Sequence, residues 1–281
     1  MRFATLREAD GGTTAAVDLD SDGVWRRLPA PDLSAFLRDG GASTPAGESA
    51  AEALAAADAV PVLPLPAPGK VVCCGLNYAD HIRETGRELP THPTLFAKYA
   101  DTLTGPADEI RLPAGLRPDW EAELAVVVGR ELRGAGRAEA AAAVWGYTVA
   151  NDVSVRDWQR RTLQWFQGKA WDRTTPVGPV VVSADALDPA AGVEVICRVD
   201  GVERQRGNTR TLVFDTAELL SYISTFTLLR PGDLVLTGTP GGVGAGMTPP
   251  AHLADGALLE TEIPGIGVLR NRIVHTDELA R

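Results

Sequence analysis

Asp119-Trp120-Glu121-Ala122-Glu123-Leu124-Ala125-Val126-Val127-Val128 opens with acids one residue apart and closes on three consecutive valines. Side chains of a strand alternate between faces, so Glu121 and Glu123 share one. The valines are apolar on both faces, so the strand runs into a core and carries two carboxylates toward burial. Two like charges there repel unless a cation or strong donors lie between them. A hard divalent cation with oxygen ligands suits the pair. A solvated strand end with two surface acids is the alternative.

Working outward, short apolar runs recur at Val71–Cys74, Val144–Ala150, Val177–Val182, Val193–Val199, Leu234–Thr237 and Gly267–Ile273, and each reads as a strand. Helical stretches are fewer: Ala138–Ala143, a segment after Asp152, and Thr216–Phe226. Many strands with sparse helices give a β-rich α+β fold. Before residue 70, short strand-like runs at Phe3, Leu6, Val17 and Val24-Trp25 alternate with turns. A capped helix begins at Asp32, and residues 49–59 are Ala-rich with helical propensity. Pro61 to Gly69 holds four prolines and reads as an extended linker. It divides a small N-terminal domain with linker, 1–69, from a catalytic domain, 70–281.

The composition is that of an ordinary globular chain: 281 residues, 44% hydrophobic and 23% charged. A net charge of −10 with no basic cluster excludes nucleic acid as a partner. No apolar stretch approaches the ~20 residues that span a bilayer. Met1-Arg2-Phe3-Ala4-Thr5 lacks the apolar region of a signal peptide, and Cys73, Cys74 and Cys197 form no C-x-x-C pair, so a reducing cytoplasm is expected.

Four further segments carry chemistry. In Gly75-Leu76-Asn77-Tyr78-Ala79-Asp80-His81-Ile82-Arg83-Glu84, His81 and Glu84 sit three residues apart on a helical turn. A carboxylate beside an imidazole fixes its tautomer and raises its basicity, as a general base for water requires; an exposed ion pair is the alternative. The strand Val144–Ala150 ends in Asn151-Asp152. Asp152 either caps the next helix or adds a third carboxylate to a metal, with Arg156, Asp157 and Gln159 within reach. In Gln167-Gly168-Lys169-Ala170, Lys169 is either a surface lysine or a buried one that needs an anionic partner. Thr237-Gly238-Thr239-Pro240-Gly241-Gly242-Val243-Gly244 is either a tight turn or a loop offering backbone N–H groups to an anion.

In this order the segments resemble the fumarylacetoacetate hydrolase family. The resemblance covers residues 70–275. It rests on G-L-N-Y-A-D-H at 75–81, D-x-E-x-E-L-A at 119–125, G-Y-T-V-A-N-D-V-S at 146–154, R-D-x-Q at 156–159, G-K at 168–169 and P-G-D-L-V-L-T-G-T-P-x-G-V-G at 231–244. It implies a mixed β-sandwich or roll as catalytic domain, and a homodimer. It implies Mg²⁺ or Mn²⁺ held by Glu121, Glu123 and Asp152, His81 and Glu84 as the water-activating pair, and Lys169 against a small anionic 2-oxo acid. Gln159 and Thr239 would hold the substrate's carboxylate or carbonyl end. The function expected is magnesium-dependent C–C hydrolysis of an acylpyruvate-like 2-oxo acid through an enolate. The alternatives are a decarboxylase or an isomerase using the same enolate and, remotely, a non-catalytic binding protein.

Overall fold

The computed structural model describes residues 1–43, 53–54, 59–84 and 88–277, with the backbone alone at His81, Arg83 and Glu84. Most of the Ala-rich stretch expected to be helical falls outside these residues.

All seven strands expected from residue 71 onward are present, and the architecture is strand-rich α+β. Among the described residues the largest sheet runs in the order Arg26–Arg27, Thr13–Asp18, Arg2–Arg7, Thr175–Ser183, Val144–Asn151, Ala122–Val128, Leu234–Leu236, Val71–Gly75 and Thr94–Lys98. A second sheet orders Val202–Asn208, Glu194–Val199, Leu258–Ile263, Gly267–Thr276 and Ile110–Pro113. The two sheets face each other. Leu124, Val126 and Val128 pack in one apolar cluster with Val195, Cys197, Leu259 and Leu269. On the opposite face, Ala125 and Val127 pack with Leu33, Phe36 and Leu37 of the short helix Leu33–Arg38, which Asp32 caps by accepting from Ala35 N. The valine run is therefore buried on both sides, as its composition requires.

The N-terminal strand pairs with Thr175–Ser183 at Arg2↔Val182 and Phe3↔Val181. Leu6 and Trp25 share the cluster that holds Leu124. The division expected at residue 69 thus does not divide the sheet. Among the described residues no helix is long and apolar enough to cross a membrane.

Pairing of Ala122–Val128 with Val144–Asn151 is antiparallel, with Ala122 opposite Asn151 and Glu123 opposite Ala150. The next rung brings Glu121 beside Asp152, whose N–H donates to the Glu121 carbonyl at 2.8 Å. This register sends Glu121, Glu123 and Asp152 to one face; a one-residue slip would send the two glutamates to the other.

Asn77 fastens the strand ends beside these carboxylates. It is fully buried, and its Nδ2 donates to the carbonyls of Phe214 (2.9 Å) and Thr237 (2.8 Å) while its Oδ1 accepts from Phe214 N (2.8 Å). Asn77→Ala leaves three buried backbone groups without partners and should cost about 2–4 kcal/mol. Leu163→Ser, at a side chain 97% exposed, should change stability by less than about 0.5 kcal/mol. Urea unfolding of both variants checks this, and equal midpoints would contradict the role given to Asn77.

Candidate metal centre and active site

Carboxylate oxygens of Glu121, Glu123 and Asp152 lie within 4.8 Å of one another. Asp152 and Glu123 are buried, and Glu121, 9% exposed, opens onto a cavity of about 280 Å³. Its wall includes Leu76, Phe96, Arg156, Gln159, Arg160, Trp165, Lys169 and Thr239.

Three buried cations answer the acids. Lys169 Nζ donates to Glu121 Oε2 at 2.7 Å and to Asp152 Oδ2 at 2.6 Å. Lys98 Nζ donates to Asp152 Oδ1 at 2.5 Å. The Arg156 guanidinium spans Asp119 Oδ2 (2.8 Å) and Glu121 Oε1 (2.7 Å) and also donates to Gln159 Oε1 (2.8 Å). Lys169 is therefore a buried lysine with anionic partners, not a surface one. It is carried by the short helix Phe166–Lys169, which lies against the helix Arg156–Gln159 at Gly168. A Cβ at Gly168 would come within 2.4 Å of Gln159 Cβ, so glycine is what allows that approach.

The glycine-rich loop also donates backbone N–H groups to anions, and those anions belong to the protein. Gly238 N donates to Glu123 Oε2 at 2.6 Å, while Gly244 N and Ala245 N donate to the two oxygens of Asp119 at 2.8 and 2.9 Å. Gly238 has φ of +100°, and a Cβ there would sit 2.9 Å from the Cys74 carbonyl oxygen.

Burial pushes the Glu123 carboxyl well above the ordinary range, and the neighbouring Asp152 and Glu121 push it further. Burial alone would raise Asp152 too, but Lys169 and Lys98 hold it below its ordinary value. Lys169 is held above the usual lysine value: burial opposes its charge, and Asp152 and Glu121 outweigh burial. Four buried carboxylates, Asp119 included, thus face three buried cations, and Glu123 accepts from Gly238 N without a cation of its own among the described residues. Every donor in the cluster is an oxygen, and each carboxylate oxygen that accepts one hydrogen bond keeps a lone pair. The residues present fit a hard divalent cation.

The cavity wall also holds Gln159 and Thr239, both expected from the sequence. Gln159 is oriented by Arg156. The Thr239 hydroxyl donates to the Ala122 carbonyl (2.9 Å) and accepts from Gln205 Nε2 (2.8 Å). His81 and Glu84 lie on the helix Ala79–Glu84, directly after Asn77, and their side chains fall outside the described residues. Sequence reasoning missed Lys98. It ends the strand Thr94–Lys98, and its partner lies 54 residues away, so the signal was only a lysine closing an apolar run.

Without a cation, the share of stability that rests on neutral Glu123 is present below the ordinary glutamate value and is lost as pH rises through the raised folded one. Asp152 has the opposite sign: its share is present above its ordinary value and lost as pH falls. Comparing wild type with Glu123→Gln isolates the first. The variant should not lose stability between about pH 5 and 7, a range set by the ordinary carboxylate value, whereas the cation-free wild type should. Mg²⁺ at about 100 times its dissociation constant should raise the wild-type melting temperature by about 5 °C and the variant's much less. Equal Mg²⁺ responses in thermal melts would remove Glu123 from the ligand set.

Comparison with known proteins matches this geometry to a family. Residues 70–274 match the family model for the fumarylacetoacetate hydrolase C-terminal domain. Over 214 residues the chain is 44% identical to oxaloacetate tautomerase FAHD2A, mitochondrial, of Bos taurus, covering 75% of this chain and 68% of that one. Among solved structures it resembles a fumarylacetoacetate hydrolase from psychrophilic Exiguobacterium antarcticum, with 34% identity, a TM-score of 0.86 and coverage of 98% and 100%. It also resembles a 5-carboxymethyl-2-hydroxymuconate delta-isomerase from Mycobacterium smegmatis, with 33% identity, a TM-score of 0.80 and coverage of 99% and 100%. The chain belongs to the fumarylacetoacetate hydrolase family of enzymes.

Proposed function

We propose that this enzyme moves the proton on the carbon beside the oxo group of a short 2-oxo acid, interconverting keto and enol forms. The observation that carries this reading is the buried cluster of four carboxylates and three cations opening onto a cavity of about 280 Å³. Its 44% identity to a protein named as an oxaloacetate tautomerase supports it. Mg²⁺ or Mn²⁺ held by Glu121, Glu123 and Asp152 would supply Lewis acidity toward the 2-oxo group.

The chain's own groups divide the remaining work. Lys169 keeps its proton well into the alkaline range, so its ammonium supplies fixed positive charge where the oxo oxygen becomes anionic, and it is not the base. The Gln159 amide, turned by Arg156, provides N–H donors at the cavity wall for the substrate carboxylate. The mobile proton is assigned to the imidazole of His81, whose ordinary value lies near neutrality, with Glu84 one turn along the helix to orient it. Phe96 and Trp165, packed edge to face at 5.6 Å, wall the cavity with apolar surface and limit water around the charged oxygen.

The second reading is hydrolysis of a C–C bond in an acylpyruvate-like substrate. The spacing of His81 and Glu84 favours it, because the same imidazole can deprotonate water. A paired assay of oxaloacetate keto–enol conversion and acylpyruvate cleavage in Mg²⁺ separates the two. Higher kcat/KM for cleavage would give the second reading priority.

In that assay Glu121→Ala should abolish both reactions, and His81→Ala should lower tautomerisation by ~10²–10⁴-fold. Lys169→Gln should lower kcat by ~10²–10³-fold, as loss of an oxyanion partner does. The wild-type pH profile should rise through about 6.5, an ordinary imidazole value. It should not fall on the alkaline side at or below the ordinary lysine value of 10.5, because Lys169 retains its proton there. An alkaline limb that disappears in Lys169→Gln would instead make Lys169 an acid in the reaction.

A further inference from the structure

Arg160 lines the same cavity and is exposed, and among the described residues no acid pairs with it. Its neighbours in sequence are already engaged. Arg156 is held by Asp119, Glu121 and Gln159, and Arg161 lies over the Trp158 ring at 3.7 Å from its centroid. Lys169, the other cation of the wall, is bound to Glu121 and Asp152.

Charge decides what this free guanidinium can serve. The buried cluster carries one more carboxylate than it has cations. A divalent ion held by Glu121, Glu123 and Asp152 would turn that deficit into a single positive charge, which the carboxylate next to the oxo group of one substrate molecule would cancel. A second substrate carboxylate then enters a cavity whose inner charges are all answered. Against the apolar wall of Leu76, Phe96, Trp165 and Val243 it would stand unpaired, at a cost of several-fold in affinity or more. Among the described residues Arg160 is the remaining cation on the wall, and its planar fork matches a carboxylate.

We infer that Arg160 binds the distal carboxylate of the substrate and makes the enzyme selective for 2-oxo dicarboxylic acids over 2-oxo monocarboxylic acids. The inference rests on the enolisation reading and specifies its substrate class. Arg160 is a specificity residue in this account, and the chemistry at the oxo group does not pass through it.

The test is calorimetric binding to the Mg²⁺-loaded enzyme of two probes, 3,3-difluoro-2-oxobutanedioate and 3,3-difluoro-2-oxobutanoate. They differ in the distal carboxylate, and the fluorines block enolisation, so binding is read without turnover. Wild type should prefer the diacid. Arg160→Gln should lower the diacid-to-monoacid affinity ratio by about 10–100-fold, the range for a charge-assisted hydrogen bond. Arg160→Lys should retain part of the preference, as a point charge without the fork. An unchanged ratio in Arg160→Gln, or a wild-type preference for the monoacid, overturns the inference and leaves the enolisation reading standing. Failure of wild type to bind either probe overturns both.

Discussion

Everything at this centre follows from burying carboxylates of like charge on one face of a strand pair. Glu121, Glu123 and Asp152 meet because Ala122 is opposite Asn151 in an antiparallel ladder. Ionised carboxylates in a protein interior are tolerated only when paired and hydrogen-bonded. That demand recruits Lys98 from the Thr94–Lys98 strand, Lys169 from the helix Phe166–Lys169 and Arg156 from the helix Arg156–Gln159. It also spends the N–H groups of the glycine-rich loop on Glu123 and Asp119. Strand register, two short helices and one loop are thereby tied to one electrostatic problem.

The pairing also sets what each group can do. A lysine between two carboxylates holds its proton, which suits it to fixed charge and not to proton exchange. Glu123, flanked by two acids and answered by one backbone N–H, is the group whose charge the protein leaves least compensated. A divalent cation held there would relieve the same repulsion that makes this cluster costly.

Much of this was legible in the sequence because it rests on local period. Alternation put Glu121 and Glu123 on one face, the valines marked a strand buried on both sides, and Asn151-Asp152 marked a strand end. What was not legible depends on partners far along the chain. Lys98 closes an apolar run, and its acid is 54 residues on. The strand Val202–Asn208 reads Val-Glu-Arg-Gln-Arg-Gly-Asn, too polar to stand out, because it is a half-exposed sheet edge. Leu258–Ile263 alternates cleanly, with Leu259, Thr261 and Ile263 buried, and that period was passed over. Pairing of Arg2–Arg7 with Thr175–Ser183 joins residues as far apart in sequence as Arg2 and Val182, and no local pattern announces it. The glycines of 238–244 were legible as donors to an anion, but not that the anions are Glu123 and Asp119.

The charge network also limits where this architecture can vary. Removing any one of Lys98, Lys169, Arg156, Glu121 or Asp152 breaks at least one buried ion pair, which is among the costliest changes a core can suffer. The inner wall is therefore constrained by folding as much as by chemistry. The outer wall is not: Leu76, Arg160, Trp165, Val243 and Ala245 line the cavity, and their side chains carry none of the ion pairs. Changes there alter what the cavity accepts while the carboxylate face stays intact. The carboxylate face is thus fixed by its pairing, while the side chains opposite it are free to differ without breaking an ion pair.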